Sequence, residues 1–289
     1  MSSIALLSVK GSPGVTTTAL ALGAVWPQPR RALVAELDPA GGDVAMWAGL
    51  PGEPNIVTLA AATGGTRARA GERSTRLHPV LVLKHSQRPP GGPDVLTSPP
   101  GSVAVVRSAL GLLGTRSLLE ALDQPAGVDL VADLGRLVEP ESPALAAVEA
   151  ATMTAVVVRP THPALRRRRR KPGGIEGDLE AAALAHVQGC VADLARRARR
   201  LVLLLVGESG YPEREIAAVL GIETRAVPFD ARSAAALAGG KVPVERLARR
   251  PLLRAARSLA QEVVELATAP VEQRNAPTQP EPAFGGLVQ

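Results

Sequence analysis

A glycine-rich turn near the start of the chain combines residue types that bind phosphate. Residues 4–17 run from an apolar stretch through the turn into an Ala/Thr-rich stretch, the order strand, turn and helix. In the pattern G-x-x-x-x-G-K-[ST], backbone N–H groups surround phosphates, the lysine adds charge and the hydroxyl binds Mg²⁺. Gly14 and Thr16 fit this pattern, but Val15 replaces the lysine and Val9 the first glycine. The turn therefore predicts a phosphate site without its usual cation.

Two further apolar runs end in carboxylates. Residues 32–37 include Glu36 and precede Asp38, and residues 130–132 precede Asp133. Parallel sheets place ligand-binding groups at the carboxyl ends of their strands. Taken alone, each aspartate is explained as well or better by a turn in which the carboxylate caps backbone N–H groups. Because Asp38 follows the glycine-rich turn by about 20 residues, the context favours a shared site.

Composition narrows the possible classes of protein. Apolar residues make up 46% of the 289 residues and aromatic residues only 2%, which argues against a stacking platform for single-stranded nucleic acid. One cysteine excludes a disulfide framework, and the four histidines show no metal-ligand spacing. No targeting segment or membrane-length apolar run is visible. A soluble, cytoplasmic protein is expected, and its net charge of +6 permits weak attraction to DNA or anionic lipid.

Short β-rich runs alternate with Ala/Leu-rich stretches along the chain. This alternation predicts an α/β fold, a mostly parallel twisted sheet with helices on both faces. Residues 201–206 are apolar without alternation, as in a strand buried on both faces. The predicted strands are Ile4–Val9, Ala32–Leu37, Val80–Leu83, Asp94–Thr97, Leu130–Asp133, Ala155–Arg159, Leu201–Val206 and Arg225–Pro228.

One domain is expected over residues 1–268, with a basic insertion loop at about 164–178 and a disordered Pro/Gln/Gly-rich tail over 269–289. Residues 61–79 and 86–93 are Gly/Pro-rich or polar and are predicted to be loops. The predicted helices are Thr16–Val25, Val103–Leu113, Ser142–Ala150, Leu179–Arg200, Glu213–Leu220, which Gly221 would cap, and Pro251–Leu266.

The turn Lys10–Thr17 resembles the deviant P-loop of the MinD/ParA ATPase family, usually K-G-G-V-G-K-T-T, with Lys10 as its first lysine. The next strand ends in Glu36-Leu37-Asp38-Pro39, which resembles the family's D-x-D-P. The strand that ends at Asp133 looks like its Walker B strand, and Pro228-Phe229-Asp230 like its Pro-x-Asp stretch near adenine. The resemblance spans about residues 2–266 and implies a P-loop NTPase fold.

The resemblance also implies ATP and Mg²⁺ as cofactors. It assigns catalytic roles to Asp38 and to Lys10, which in the family reaches across a nucleotide-dependent homodimer. An ion pair between Lys10 and Asp38 is the alternative. The implied metal ligands, partly through water, are Thr16, Asp38 and Asp133. The implied cofactor-binding residues are Lys10, Gly11, Ser12, Pro13, Gly14, Val15, Thr16, Thr17 and Pro228.

Two functions follow from these expectations. One is a weak or slow Mg-ATPase that acts as a dimerising switch in positioning or partitioning a cellular cargo. The other is a non-hydrolysing scaffold with a degenerate nucleotide site, because loss of the P-loop cation can cost several kcal/mol of transition-state stabilisation. The cationic run Arg166–Lys171 is explained either by contact with DNA or an anionic membrane, or by a solvated loop.

Overall fold

The computed structural model describes most of the chain but not all of it. Lys10–Pro13 of the glycine-rich turn, the run Arg166–Lys171 and all of the predicted tail except Ala269 lie outside the described residues. The described ranges are 2–9, 14–70, 77–101, 103–122, 128–137, 142, 145–159, 188–209, 212–239 and 244–269.

Seven strands form one sheet in the order β3-β2-β4-β1-β5-β6-β7. Every neighbouring pair is parallel, so the predicted α/β fold class is confirmed. Because all strands run the same way, all their carboxyl ends lie along one edge of the sheet. The strands are β1 (Ser3–Ser8), β2 (Arg31–Glu36), β3 (Asp94–Leu96), β4 (Val128–Arg136), β5 (Met153–Val158), β6 (Leu201–Val206) and β7 (Glu223–Val227).

Side-chain alternation along each strand divides the apolar core into two layers. In the central strand β1, Ile4 and Leu6 belong to one buried cluster, and Ala5 and Leu7 belong to the other. Successive side chains of a strand point to opposite faces, so a continuous apolar run supplies both layers at once. This explains why strands such as β6 read as unbroken apolar runs, as expected for a parallel sheet covered on both sides.

Helices cover both faces. Buried residues of α1, α10 and α12 join the cluster that contains Ile4, and those of α3, α5, α6, α7, α8 and α9 join the other. The helices are α1 (Val15–Ala24), α2 (Val44–Ala48), α3 (Ile56–Ala70), α4 (Pro79–Lys84), α5 (Val103–Leu113), α6 (Thr115–Leu122), α7 (Leu145–Ala150), α8 (188–197), α9 (Glu213–Leu220), α10 (Ala231–Gly239), α11 (Val244–Leu247) and α12 (Pro251–Thr268).

Two predictions of local structure were wrong. The run Val80–Leu83, predicted as a strand, lies in the short helix α4, because Pro79 occupies the first turn and the His78 side chain accepts a hydrogen bond from the Val80 N–H. The predicted loop 61–79 is helical as far as Ala70. Most other predicted elements agree within a few residues, and Gly221 caps α9 as expected, in the left-handed conformation.

None of the described helices combines the length and the apolar character that crossing a membrane requires.

Candidate functional site

The first helix begins at Gly14, whose backbone conformation only glycine adopts easily. Gly14 caps α1 with φ 102° and ψ 32°, a left-handed conformation that costs a side chain strain. Its carbonyl accepts hydrogen bonds from the Thr18 N–H at 2.9 Å and from the Thr18 hydroxyl at 2.8 Å. The N-terminus of α1 therefore starts at the carboxyl edge of the sheet, where free N–H groups and the helix dipole favour anions.

Val15 contributes to the apolar core rather than to this anion site. Its side chain is 5% exposed and belongs to the same buried cluster as Ile4 and Val44. No residue of the first turn of α1, Val15 to Thr18, is basic. The lysine expected in this slot of a P-loop is thus replaced by a packing residue.

Thr16 and Asp133 are in direct contact. The Thr16 hydroxyl hydrogen-bonds the Asp133 carboxylate, which is buried at the end of β4. The same carboxylate accepts the Gly135 N–H at 3.0 Å. Two of the three predicted metal ligands therefore meet across the start of α1 and the end of β4.

Asp38, the third predicted ligand, lies against the end of the same strand. Its Oδ1 accepts the Ala40 N–H at 2.8 Å, and the Arg136 N–H also bonds its carboxylate. A Cβ added to Gly135 would lie 1.7 Å from Asp38 Oδ2, so any side chain at this position would clash with the Asp38 carboxylate. Gly135, which also has φ 62°, thereby admits the Asp38 carboxylate beside Asp133.

Glu36 has a structural role that the sequence did not reveal. Its buried Oε1 accepts the N–H groups of Asp43 at 3.0 Å and Val44 at 3.1 Å, and its Oε2 accepts the Ser98 N–H at 3.0 Å. A Cβ on Gly42 would approach the Glu36 carboxyl to 2.3 Å. The carboxylate therefore fastens the loop that follows Asp38, and α2 behind it, to the end of β3.

Burial makes this carboxylate cluster costly to charge. Burial raises the pKa of Glu36 to about 7 despite its three N–H donors, and the charge of Asp133 adds to the increase. Burial raises the pKa of Asp133 to about 6 against its hydrogen bonds to Thr16 and Gly135, with a further contribution from Asp38. The pKa of Asp38 is also raised, again mainly by burial. No arginine or lysine among the described residues forms an ion pair with any of the three.

The donor set fits magnesium. A hydroxyl and two carboxylates are hard oxygen donors, and Mg²⁺ in nucleotide sites binds one or two carboxylates while keeping several waters. A divalent cation would also stabilise the charged form of Asp133, which burial and, to a lesser extent, the charge of Asp38 disfavour. The described residues contain no group of three or more His, Cys, Asp or Glu side chains able to hold an ion alone, so phosphate oxygens and water would complete the coordination.

A small cleft lies beside the start of α1. A cleft of about 50 Å³ is bordered by Gly14, Thr17 and Thr18 on one side and by Val206, Pro228 and Phe229 on another. Phe229 is 61% exposed, and the Arg159 guanidinium stands 5.1 Å from its ring centroid. The predicted adenine-side residue Pro228 therefore does lie next to the predicted phosphate-side residues Gly14 and Thr17.

The predicted site is thus brought together where it is described. Thr16 bonds Asp133, and Asp38 lies beside Gly135 at the end of the same strand. Gly14, Thr17 and Pro228 line the adjoining cleft. Lys10, Gly11, Ser12 and Pro13 lie outside the described residues. Sequence reasoning missed Arg136, Phe229 and the fastening role of Glu36; the position of Glu36 in a family motif was the one signal pointing to it.

Comparison with protein-family models finds no match, and comparison with curated proteins finds none. Solved structures do match. A ParA-family ATPase from Chlorobium tepidum TLS aligns with a TM-score of 0.60 and 13% identity, covering 90% of this chain and 97% of that one. The septum site-determining protein MinD from Pyrococcus horikoshii OT3, complexed with Mg-ADP, aligns with a TM-score of 0.59 and 18% identity over 92% and 97%.

A third match belongs to a different functional class. Cobyrinic acid a,c-diamide synthase from Mycobacterium smegmatis, with a bound ATP analogue and magnesium, gives a TM-score of 0.53 and 16% identity over 93% of this chain and 96% of that one. At such identities the likeness shows a shared fold. The chain therefore has the fold of the MinD/ParA P-loop ATPases, on which more than one chemistry is built.

Proposed function

We propose that this chain binds Mg-ATP and acts as a MinD/ParA-like dimerising switch with weak or slow hydrolysis, serving to position or partition a cellular cargo. One observation carries the proposal. The Thr16 hydroxyl at the start of α1 bonds the buried Asp133 carboxylate, and Asp38 lies beside Gly135 at the end of the same strand. A helix N-terminus at such a place favours phosphate. The shared fold supports it, because the matched MinD holds Mg-ADP and the matched synthase an ATP analogue with magnesium.

Each residue has a distinct role in this proposal. Thr16, Asp133 and Asp38 hold the metal, the last two partly through water, while N–H groups of the first turn of α1 face the phosphates. Asp38 orients the attacking water, and Lys10 contacts the phosphates held by a second copy of the chain. Magnesium, when bound, supplies positive charge that offsets the negative charge of the phosphates. Pro228 and Phe229 border the cleft proposed for the base.

A second candidate is a non-hydrolysing scaffold with the same fold. The burial of Val15 in the core favours it, because the first turn of α1 offers no cation to stabilise charge during phosphoryl transfer. In this case the carboxylate cluster would be a remnant of a nucleotide site. Nucleotide affinity separates the two candidates.

Calorimetric titration with Mg-ATP and with Mg-ADP tests nucleotide binding. We expect wild-type protein to bind, and Thr16→Val to bind at least about tenfold more weakly, because a charge-assisted contact is lost. Thr63→Val is the matched control, since the Thr63 hydroxyl bonds carbonyls of its own helix at 2.8 and 3.2 Å. If wild-type protein shows no heat with either nucleotide at millimolar concentration, the scaffold candidate replaces the switch.

Sedimentation velocity tests dimerisation. Wild-type protein should shift from monomer to dimer on addition of Mg-ATP, and Lys10→Ala should remain monomeric while still binding nucleotide. A wild-type monomer that persists with saturating Mg-ATP would refute the switch, even if calorimetry shows binding.

A further inference from the structure

A larger cavity adjoins the carboxylate cluster on the side of Asp38. It measures about 260 Å³ and is bordered by Asp38, Pro39, Ala40, Val103, Arg107, Arg136 and Ser142. Both arginines are exposed to solvent. The cavity therefore places positive charge next to a cluster that contains none among its own described side chains.

The backbone of Arg136 is fixed on two sides. Its Cα pairs with Ser8 in the register of β1 and β4, and the neighbouring Leu137 N–H bonds the Ser8 carbonyl at 2.9 Å. The Arg136 N–H bonds the Asp38 carboxylate. Arg136 thus stands between the end of β1, two residues before the glycine-rich turn begins, and the aspartate proposed to orient water.

The side chain of Arg136 is available to a ligand. It makes no ion pair with an acidic residue in the described part of the chain. A guanidinium is always charged and can donate two parallel hydrogen bonds to a phosphate. The first turn of α1 lacks such a group because Val15 is packed in the core.

We propose that Arg136 binds the terminal phosphate of the nucleotide and supplies the positive charge that Val15 cannot. The inference rests on the proposed nucleotide binding and adds a specificity to it. A nucleoside triphosphate is then preferred over a diphosphate, because only the triphosphate has the terminal phosphate that this proposal assigns to the cavity shared by Asp38 and Arg136. In this proposal the positive charge comes from the end of β4 instead of from the first turn of α1.

Calorimetric titration of Arg136→Ala with Mg-ATP and with Mg-ADP, at low and high salt, tests this inference. We expect Mg-ATP affinity to fall roughly 10- to 100-fold, the range of a hydrogen bond between charged groups, and Mg-ADP affinity to change less than about twofold. Arg136→Lys should fall between. The wild-type preference for ATP should shrink as salt rises, because salt screens exposed charges. Arg107→Ala is the matched control, because it removes an exposed arginine of the same cavity from α5 instead of β4.

The outcomes are separable. If wild-type protein binds both nucleotides and Arg136→Ala weakens both equally, or neither, the assignment of Arg136 is overturned while the proposed function stands. An equal loss of ATP affinity in Arg107→Ala also overturns it, because general charge would then suffice. If wild-type protein binds neither nucleotide, the proposed function and this inference fall together. Circular dichroism confirms that each variant is folded.

Discussion

The two ends of β4 hold buried aspartates in opposite surroundings. At the amino end, Asp129 accepts two hydrogen bonds from Arg30 at 2.6 and 2.5 Å, one from the Trp26 indole at 2.8 Å and one from the Ser2 N–H at 2.7 Å. At the carboxyl end, Asp133 has the Thr16 hydroxyl and the Gly135 N–H, with two other carboxylates nearby. One strand therefore carries, at one end, a charge that Arg30 neutralises and, at the other, a charge without a cationic partner among the residues that the structure describes.

The difference separates charge that stabilises the fold from charge that the proposed function assigns to a ligand. A buried carboxylate with a cation and several donors stabilises the fold, whereas a charged one without a cation imposes a cost that a bound cation would offset. Cavity size alone would not have found the site. The amino edge has a cavity of about 400 Å³ near Arg30 and Arg88, but Asp129 and Asp94 already pair with these arginines.

The largest change in stability is expected from Asp129→Ala, which removes the carboxylate that Arg30 neutralises at the amino end of β4. Arg30 and the Trp26 indole would lose their common acceptor in a buried place. We expect a loss of about 3 kcal/mol in the free energy of unfolding, at the lower end for a buried pair because the Arg30 side chain is 36% exposed. Urea denaturation at neutral pH measures it. Asp94→Ala, which removes the partner of the more exposed Arg88, is the control and should cost less than about 1 kcal/mol. Equal losses would contradict the comparison.

Asp133→Asn should change the free energy of unfolding in the opposite direction, by stabilising the protein. The amide keeps the shape of the side chain and an acceptor oxygen while removing a buried charge. Because burial raises the pKa of Asp133 from 3.8 to about 6, we expect a gain of about 1–3 kcal/mol in the free energy of unfolding at about pH 8 without magnesium. Urea denaturation in a chelator tests this. A loss similar to that of Asp129→Ala would show that Asp133 serves the fold.

The smallest effect concerns a third buried aspartate, Asp230, and it depends on pH. Hydrogen bonds from Arg250 hold the pKa of Asp230 well below its usual value, and Ser233 adds to the decrease. A lowered carboxyl pKa stabilises the fold above the unfolded pKa, near 3.8, and this contribution is lost as pH falls further. Asp230→Asn should therefore cost about 1 kcal/mol at neutral pH, a modest figure because Arg250 is partly exposed.

Urea denaturation of wild-type protein and Asp230→Asn at neutral pH and at about pH 3 measures this difference. The gap between the two proteins should narrow in acid. Asp193→Asn, at an exposed pair with Arg196, should show no gap at either pH. A gap that widens in acid would mean that Asp230 does not act through its charge.

Most of the sheet and of the carboxylate site followed from sequence, for a physical reason. Strands buried on both faces are mostly apolar, and the carboxyl ends of parallel strands share one edge. This rule, together with the resemblance to the MinD/ParA motifs, led to the prediction that Asp38 and Asp133 share a site, with Thr16 following from the order strand, turn and helix. The α/β fold class needed no long-range information beyond this.

The remaining errors came from caps and from long-range contacts. The α3 helix was missed because its start depends on a short-range exchange: Asn55 Oδ1 accepts the Val57 N–H at 2.8 Å, and the Thr58 hydroxyl accepts the Asn55 N–H at 2.9 Å. An asparagine followed three residues later by a threonine is a local signature that could have predicted this helix start. The contact of Glu36 with Ser98 spans 62 residues, and no local pattern announces it.

Because Glu36 holds the start of α2, the fluorescence of a tryptophan on this helix can report on local motion. The chain has two tryptophans. Trp26 is buried against Asp129, whereas Trp47 lies on α2, 41% exposed, three residues beyond the Val44 N–H that Glu36 holds. A change in the emission of Trp47 reports motion of the loop after Asp38, and a change in Trp26 reports loss of the whole fold. Replacing either tryptophan by phenylalanine isolates the signal of the other, so local and global transitions can be followed in the same sample without a label.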